Sequence, residues 1–258
     1  MKNNKGFFVM RLNINKKKTR LFALLAAVIF VSLIVFKPNA PHHARAASVD
    51  LGEREGARAV IVVDAGHGGV DGGAVSLNGT PEKDINLSIA LKLRSLLLLN
   101  GFDVIMTRES DVSIHDADVE NGTIREKKVS DISNRIKILK NSPDAILISI
   151  HQNTFSSADA SGSQVFYVKN EQSRRLAEIM QTHLVCELCE KGNRAPKEAY
   201  DTIKLMNSIE NTGVLVECGF LSNPDDEAKL LSEDYQRRIA RCILNALDEF
   251  LIETESEG

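Results

Sequence analysis

The chain has 258 residues, 43% of them hydrophobic and 26% charged, enough for one sizeable core. Its formal net charge of −3 conceals an asymmetry: residues 1–49 hold nine Lys or Arg and no Asp or Glu, leaving 23 basic against 35 acidic residues in the remainder. A body that acidic argues against nucleic acid as a partner, because nucleic-acid binding rests on basic contacts to phosphate.

A basic head, residues 1–20, precedes an uncharged apolar run, residues 21–36. Its 16 residues fall slightly short of the roughly 20 of a full membrane span, and Lys18 and Lys37 can snorkel to lengthen it. Basic residues ahead of such a run hold the N-terminus in the cytoplasm and send the rest out. Two readings stand: a membrane anchor, or a signal segment cleaved near the small-x-small triplet Ala44-Arg45-Ala46. Either makes the remaining chain extracytoplasmic. Residues 37–57, with Pro38, Pro41, His42 and His43, read as a linker, residues 58–252 as one domain, and residues 253–258 as a tail.

From Arg58 onward strands alternate with helices. Residues 59–63 form a β-branched run of the kind buried on both faces of a sheet. A loop with Gly66, Gly68, Gly69, Gly72 and Gly73 follows. Thr80 is expected as a helix N-cap with Pro81 at the first helical position, the helix running through Ile85, Ile89, Leu93 and Leu96 until Asn100-Gly101 ends it. Residues 103–107 form the second strand, residues 109–128 a polar segment, and residues 131–141 a helix. Further strands are expected over 145–150, 163–168 and 212–216, and helices over 171–191, 225–231 and 234–253. This alternation predicts a single α/β domain, a mostly parallel twisted sheet with helices on both faces. Cys186 and Cys189, spaced CxxC within a helical pattern, read as buried thiols on one helical turn rather than a redox or metal pair.

Three buried strands end in polar residues: Val63-Asp64, with His67 just beyond, Ile150-His151, and Val216-Glu217. Ligands of open α/β sheets bind beyond the carboxyl ends of the strands, so Asp64, His67, His151 and Glu217 are expected on one rim if these strands are parallel. Two imidazoles and a carboxylate suit a catalytic zinc ion. Glu82, opening the helix after the glycine loop, can supply the carboxylate, although acids are common in first helical turns because they complement the helix dipole. Glu217, inside an apolar run, is costly to bury unless used or paired; it is either a general base or half of an ion pair with an arginine. Asp64 either orients the His67 ring or bonds the amides of the glycine loop. Gln152 and Asn153 either orient a substrate or support the sheet edge. Arg125, Lys127 and Lys128 either meet anionic groups or form a solvated charge run. His115 is expected to be exposed, and His183 packed or exposed rather than ligating.

The segments Asp64-Ala-Gly-His-Gly-Gly69, Glu82-Lys-Asp-Ile-Asn-Leu87, Ser149-Ile-His-Gln-Asn153 and Val216-Glu-Cys-Gly-Phe-Leu-Ser-Asn223 resemble, in order, motifs of the zinc-dependent N-acetylmuramoyl-L-alanine amidases of the type 3 family. The resemblance covers roughly residues 58–252, and departs from the usual pattern at Ala65, where the family has proline. It implies one zinc ion held by His67, Glu82 and His151, Glu217 as the catalytic carboxylate, and peptidoglycan as substrate. Thr123-Ile-Arg-Glu-Lys-Lys-Val-Ser-Asp131 and Gly162-Ser-Gln-Val-Phe-Tyr167 are similar to the spore-cortex branch, which strips peptide from muramic acid so that muramic-δ-lactam can form. Insertions occlude the site in some relatives, so residues 109–128 are a candidate inhibitory element, and an accessory protein is a possible partner. The competing readings are another exported zinc hydrolase, a peptidase or N-deacetylase, and a wall-binding module without activity.

Overall fold

Strand residues of alternating orientation feed two hydrophobic layers, one on each side of a six-stranded sheet. The structure, a computed structural model, describes residues 58–188 and 194–257. The basic head, the apolar run at 21–36, the cleavage triplet, the linker and Cys189 lie outside the described residues. None of the described helices is long and apolar enough to cross a membrane.

The strands are β1 (Val60–Ala65), β2 (Asp103–Met106), β3 (Ile146–Asn153), β4 (Gln164–Tyr167), β5 (Lys197–Glu198) and β6 (Gly213–Phe220), in the order β2-β1-β3-β6-β4-β5. β2, β1, β3 and β6 run parallel, whereas β4 is antiparallel to β6 and parallel to β5. The sheet is therefore mixed: the expected parallel core is present, and β4 and β5 run against it. The two-residue β5 is too short to leave a periodic signal in the sequence.

The helices are α1 (Glu82–Leu99), α2 (Ile124–Lys140), α3 (Glu171–Glu187), α4 (Pro224–Leu230) and α5 (Glu233–Glu257). Ile61, Val63, Ile148, Ile150, Val214 and Val216 face a core built with α1, α3 and α5. Val62, Leu147, Phe166 and Leu215 face the opposite layer, filled by Leu139 of α2 and by Leu205, Met206 and Ile209. Both faces are covered, one by α1, α3 and α5 with Leu230 of α4, the other by one helix and an irregular segment.

Four boundaries near the site differ from expectation. Helix α1 takes Pro81 itself as N-cap, with ψ 142° and no side-chain cap; Thr80 is displaced because the glycine loop does the capping, Ala74 O accepting from Glu82 N at 2.8 Å and Gly72 O from Lys83 N at 3.1 Å. Helix α2 starts at Ile124, seven residues before 131, because Thr123 and Glu126 form a capping box. β3 and β6 continue to Asn153 and Phe220, so His151 and Glu217 lie within the last turns of the strand ladder rather than after it.

Other residues settle differently as well. Cys186 is exposed rather than buried. His115 is part-buried, its Nδ1 2.8 Å from Ser113 Oγ and its Nε2 2.7 Å from Glu120 Oε2. His183, by contrast, is packed as expected: it joins two helices, Nδ1 to Glu187 Oε1 at 2.6 Å and Nε2 to Glu249 Oε2 at 2.8 Å.

Candidate metal centre

β1 is followed in sequence by β2 on one side of it and pairs with β3 on the other, so a topological switch point lies between β1 and β3. Crevices at such points, beyond the strand C-termini, are the ligand sites of open α/β sheets. The glycine loop leaves β1 at this place, Gly66 N donating to Ile150 O of β3 at 3.1 Å. His151 and Glu217 are register partners on adjacent strands, so one parallel pairing delivers both side chains.

His67 is the only non-glycine residue with positive φ among the described residues, at 61°. Such a conformation is sparsely populated and must be held by its surroundings. Two buried arginines hold it. Arg135 of α2 donates from Nη2 to His67 O at 2.7 Å and from Nη1 to Ala65 O at 2.9 Å. Arg108, just past β2, donates from Nε to Ala65 O at 2.9 Å and from Nη2 to Gly66 O at 3.0 Å and Lys83 O at 2.8 Å. Residues 109–128 add a further brace: Asp111 Oδ1 accepts from Gly69 N at 2.8 Å, and its Oδ2 pairs with Lys83 Nζ at 2.6 Å.

Folding the loop back onto α1 brings Glu82 to the histidines. Its side chain is buried. Oε2 accepts from Ala74 N at 2.9 Å and lies 3.2 Å from His67 Nε2; Oε1 accepts from Gln152 N at 3.0 Å and lies 3.0 Å from His151 Nδ1. Burial pushes its pKa up, but His151 and His67 prevail and hold it well below the usual carboxylate range. His67, disfavoured as a cation by burial, is raised to about 9 by Asp71 and Glu82. His67, Glu82 and His151 each offer one ligand atom, and these atoms lie within 4.8 Å of one another. The donor set, two imidazole nitrogens and an ionised carboxylate, fits a divalent transition metal with open coordination positions.

Two glycines leave room for this convergence. A Cβ on Gly66 would stand 2.3 Å from the His151 ring, and one on Gly73, at φ 69°, would stand 2.5 Å from Glu82 Oε2 and 2.7 Å from His67 Cδ2. Gly73→Ala is therefore expected to separate Glu82 from His67. Calorimetric titration with a divalent cation should show at least a tenfold loss of affinity in the folded variant; unchanged affinity would mean that the two side chains need not meet.

Glu217 is the fourth expected group. Its Oε2 is buried and has no hydrogen-bond partner among the described residues, and no ion pair with an arginine forms there, since both buried arginines are committed to the loop. Burial, with Glu82 adding to it and His151 and His67 opposing, lifts its pKa to about 7. A desolvated carboxylate near neutrality beside a metal-ligand cluster is suited to take and return a proton.

Asp64 does neither of the things expected of it. Its Oδ1 accepts from Thr107 Oγ1 at 2.8 Å and forms a short ion pair with Arg135 Nη1, and its Oδ2 accepts from Ser149 Oγ at 2.6 Å. It anchors the arginine that holds the loop. The group on His67 Nδ1 is instead Asp71, at 2.8 Å, a residue sequence reasoning passed over although it lies four residues from a proposed ligand. Arg108 was also missed, yet it follows the end of β2 and the strand-end rule reaches it. Gln152 supports the cluster, donating from Nε2 to Asn86 Oδ1 at 3.1 Å, while Asn86 donates to Glu82 Oε1 at 3.2 Å. Asn153 Oδ1 accepts from Thr154 N at 2.8 Å. Lys127 pairs with Glu120 at 3.5 Å and Lys128, though exposed, with Asp71 at 2.7 Å, so Lys128 is committed to the loop rather than part of a free solvated charge run.

The N-acetylmuramoyl-L-alanine amidase family model matches residues 61–249. The germination-specific N-acetylmuramoyl-L-alanine amidase of Bacillus subtilis is 36% identical over 195 residues, 75% of this chain and 80% of that protein. The CwlD amidase of Clostridioides difficile, solved in complex with the GerS lipoprotein, is 39% identical with a TM-score of 0.71, covering 75% of this chain and 98% of that one. The catalytic domain of the amidase CwlV from Bacillus (Paenibacillus) polymyxa var. colistinus is 29% identical with a TM-score of 0.64, covering 75% and 98%. Matched over the glycine loop, both histidine-bearing elements and the strand of Glu217, the chain belongs to the N-acetylmuramoyl-L-alanine amidase family.

Proposed function

We propose that the chain is a zinc-dependent amidase that hydrolyses the bond between the lactyl group of N-acetylmuramic acid and L-alanine in peptidoglycan. Its metal ligands are His67, Glu82 and His151, and its catalytic carboxylate is Glu217. The observation that carries this reading is the buried, unbonded Oε2 of Glu217 beside the three convergent ligand atoms. Zinc, when bound, supplies a Lewis acid for a carbonyl and lowers the pKa of water. The ionised Glu82 provides charge that opposes the cation, and Gln152 N and Ala74 N fix both its oxygens. Glu217 accepts a proton from the attacking water and delivers it to the departing L-alanine nitrogen. Arg135 and Arg108 keep the loop carbonyls bonded, so His67 would hold the metal without rearrangement of the loop.

The setting we propose is the spore cortex, where removal of the peptide precedes muramic-δ-lactam formation. The germination-specific Bacillus relative supports it. Residues 21–36 hold or deliver the domain outside the cytoplasm, between mother cell and forespore membranes. The complex of the Clostridioides relative with a lipoprotein supports an accessory protein of that kind here.

Digestion of purified sacculi tests the reading. Free stem peptides and peptide-free muramic acid are the expected products; cleaved stems or newly exposed sugar amines would replace the amidase reading by a peptidase or a deacetylase. Dialysis against a chelator is expected to remove at least nine tenths of the turnover, and added zinc to restore it. Turnover that survives complete metal removal would overturn zinc dependence.

A further inference from the structure

We propose that Asp71 is the positioning residue for the metal ligand His67, and that Lys128 holds Asp71 in place from helix α2. The inference rests on the metal-centre reading above and adds to it what fixes the ring.

The backbone of His67 is held at positive φ by Arg135, and side-chain contacts set the ring. The ring has two nitrogens, and only one faces the cluster: Nε2, 3.2 Å from Glu82 Oε2. The other, Nδ1, is 2.8 Å from Asp71 Oδ2. A carboxylate there accepts from Nδ1–H and leaves Nε2 as the ring atom that faces the metal position. Asp71 is itself held on its other oxygen. Lys128 Nζ lies 2.7 Å from Oδ1, and Gly73 N donates to the same atom at 3.2 Å. Lys128 stands in the second turn of α2, whose Arg135 grips the loop carbonyls about two turns further on. One helix thus sets both the backbone of the loop and the tautomer of its ligand. The Lys128 ammonium, half exposed at the rim, turns onto Asp71 and orients it rather than reaching outward.

The test is the zinc dissociation constant of the metal-free protein, read by competition with a chromophoric chelator, for wild type, Asp71→Ala and Lys128→Met. Asp71→Ala is expected to weaken zinc by about 10- to 100-fold, and Lys128→Met to weaken it several-fold. The visible spectrum of the cobalt-substituted protein should change in both, because the ligand field senses the ring. An Asp71 that served only to pack the loop would lower the melting temperature of the metal-free protein and leave zinc affinity within twofold of wild type; that result overturns the proposal. If Asp71→Ala does not fold, Lys128→Met decides, and unchanged affinity there removes the tether. A wild type that binds no zinc overturns the metal-centre reading and this inference with it, whereas tight wild-type binding matched by Asp71→Ala overturns the positioning role alone.

Discussion

Glu217→Gln is expected to abolish amide hydrolysis while the folded protein still takes up one zinc ion. The substitution preserves shape and removes the one function proposed for the side chain, because an amide cannot accept the water proton. General acid–base groups contribute about 10²- to 10⁴-fold, so turnover of sacculi should fall by at least that range. Zinc content by atomic absorption should stay at wild-type level, since the proposed ligand atoms come from His67, Glu82 and His151. Loss of zinc together with activity would make Glu217 part of the metal site and leave the proton transfer without an agent.

The same carboxylate links activity to stability. In the metal-free protein its pKa rises from 4.5 to about 7, burial being the main cause. A raised folded-state pKa means that folding favours the neutral form. The associated stability is complete below pH 4.5, diminishes as pH rises, and is gone above about 7. That gap corresponds to about 3 kcal/mol held against the fold once the group is ionised. Glu217→Gln should therefore raise the urea midpoint of the metal-free protein at pH 8 and leave it unchanged near pH 4.5. Equal midpoints at pH 8 would show that the carboxylate is not desolvated. A site that stabilises the protein when disabled is what a trade between activity and stability predicts.

How much of this is legible without coordinates follows from how far each signal reaches along the chain. The apolar runs ending in Asp64, His151 and Glu217 are local patterns, and the rule that ligands gather at strand C-termini converts them into a common rim. Glu82 is harder, since its place depends on the glycine loop folding back to cap α1 through Ala74 O and Gly72 O. The family resemblance raised what spacing left open. The early start of α2 was readable, because Thr123 and Glu126 have capping-box spacing, but the polar residues around them masked it. Asp64 was located and its job misjudged, for its partners Thr107, Arg135 and Ser149 come from three separate parts of the chain. Arg135 left no trace: a mid-helix arginine in a polar sequence reads as solvated, and only tertiary packing brings it to Asp64, Ala65 and His67.

Arg135→Met should be the most destabilising single change near the site. The native guanidinium pairs with Asp64, donates to Asp131 Oδ2 at 2.6 Å, and satisfies the carbonyls of Ala65 and His67. Methionine preserves bulk and removes every donor. It leaves a carboxylate with 1% exposure uncompensated, and breaking a buried pair from one side costs about 3–5 kcal/mol. Urea unfolding at pH 7 should register a loss of that size, and zinc affinity should fall too, because the positive φ of His67 loses its restraint. The acid limb offers an independent check. Asp64 is pushed up by burial, but Arg135, Ser149, His151 and Thr107 together lower it from 3.8 to about 2. A depressed carboxylate stabilises the fold fully above pH 3.8 and loses that contribution as pH falls through about 2, a contribution of about 2 kcal/mol. Asp64→Asn should flatten the stability profile across that window, and the Asp64→Asn, Arg135→Met double variant should be less damaged than the two single losses summed, because neither partner is then left buried alone. Strict additivity would separate the pair and assign the arginine's effect to the loop carbonyls.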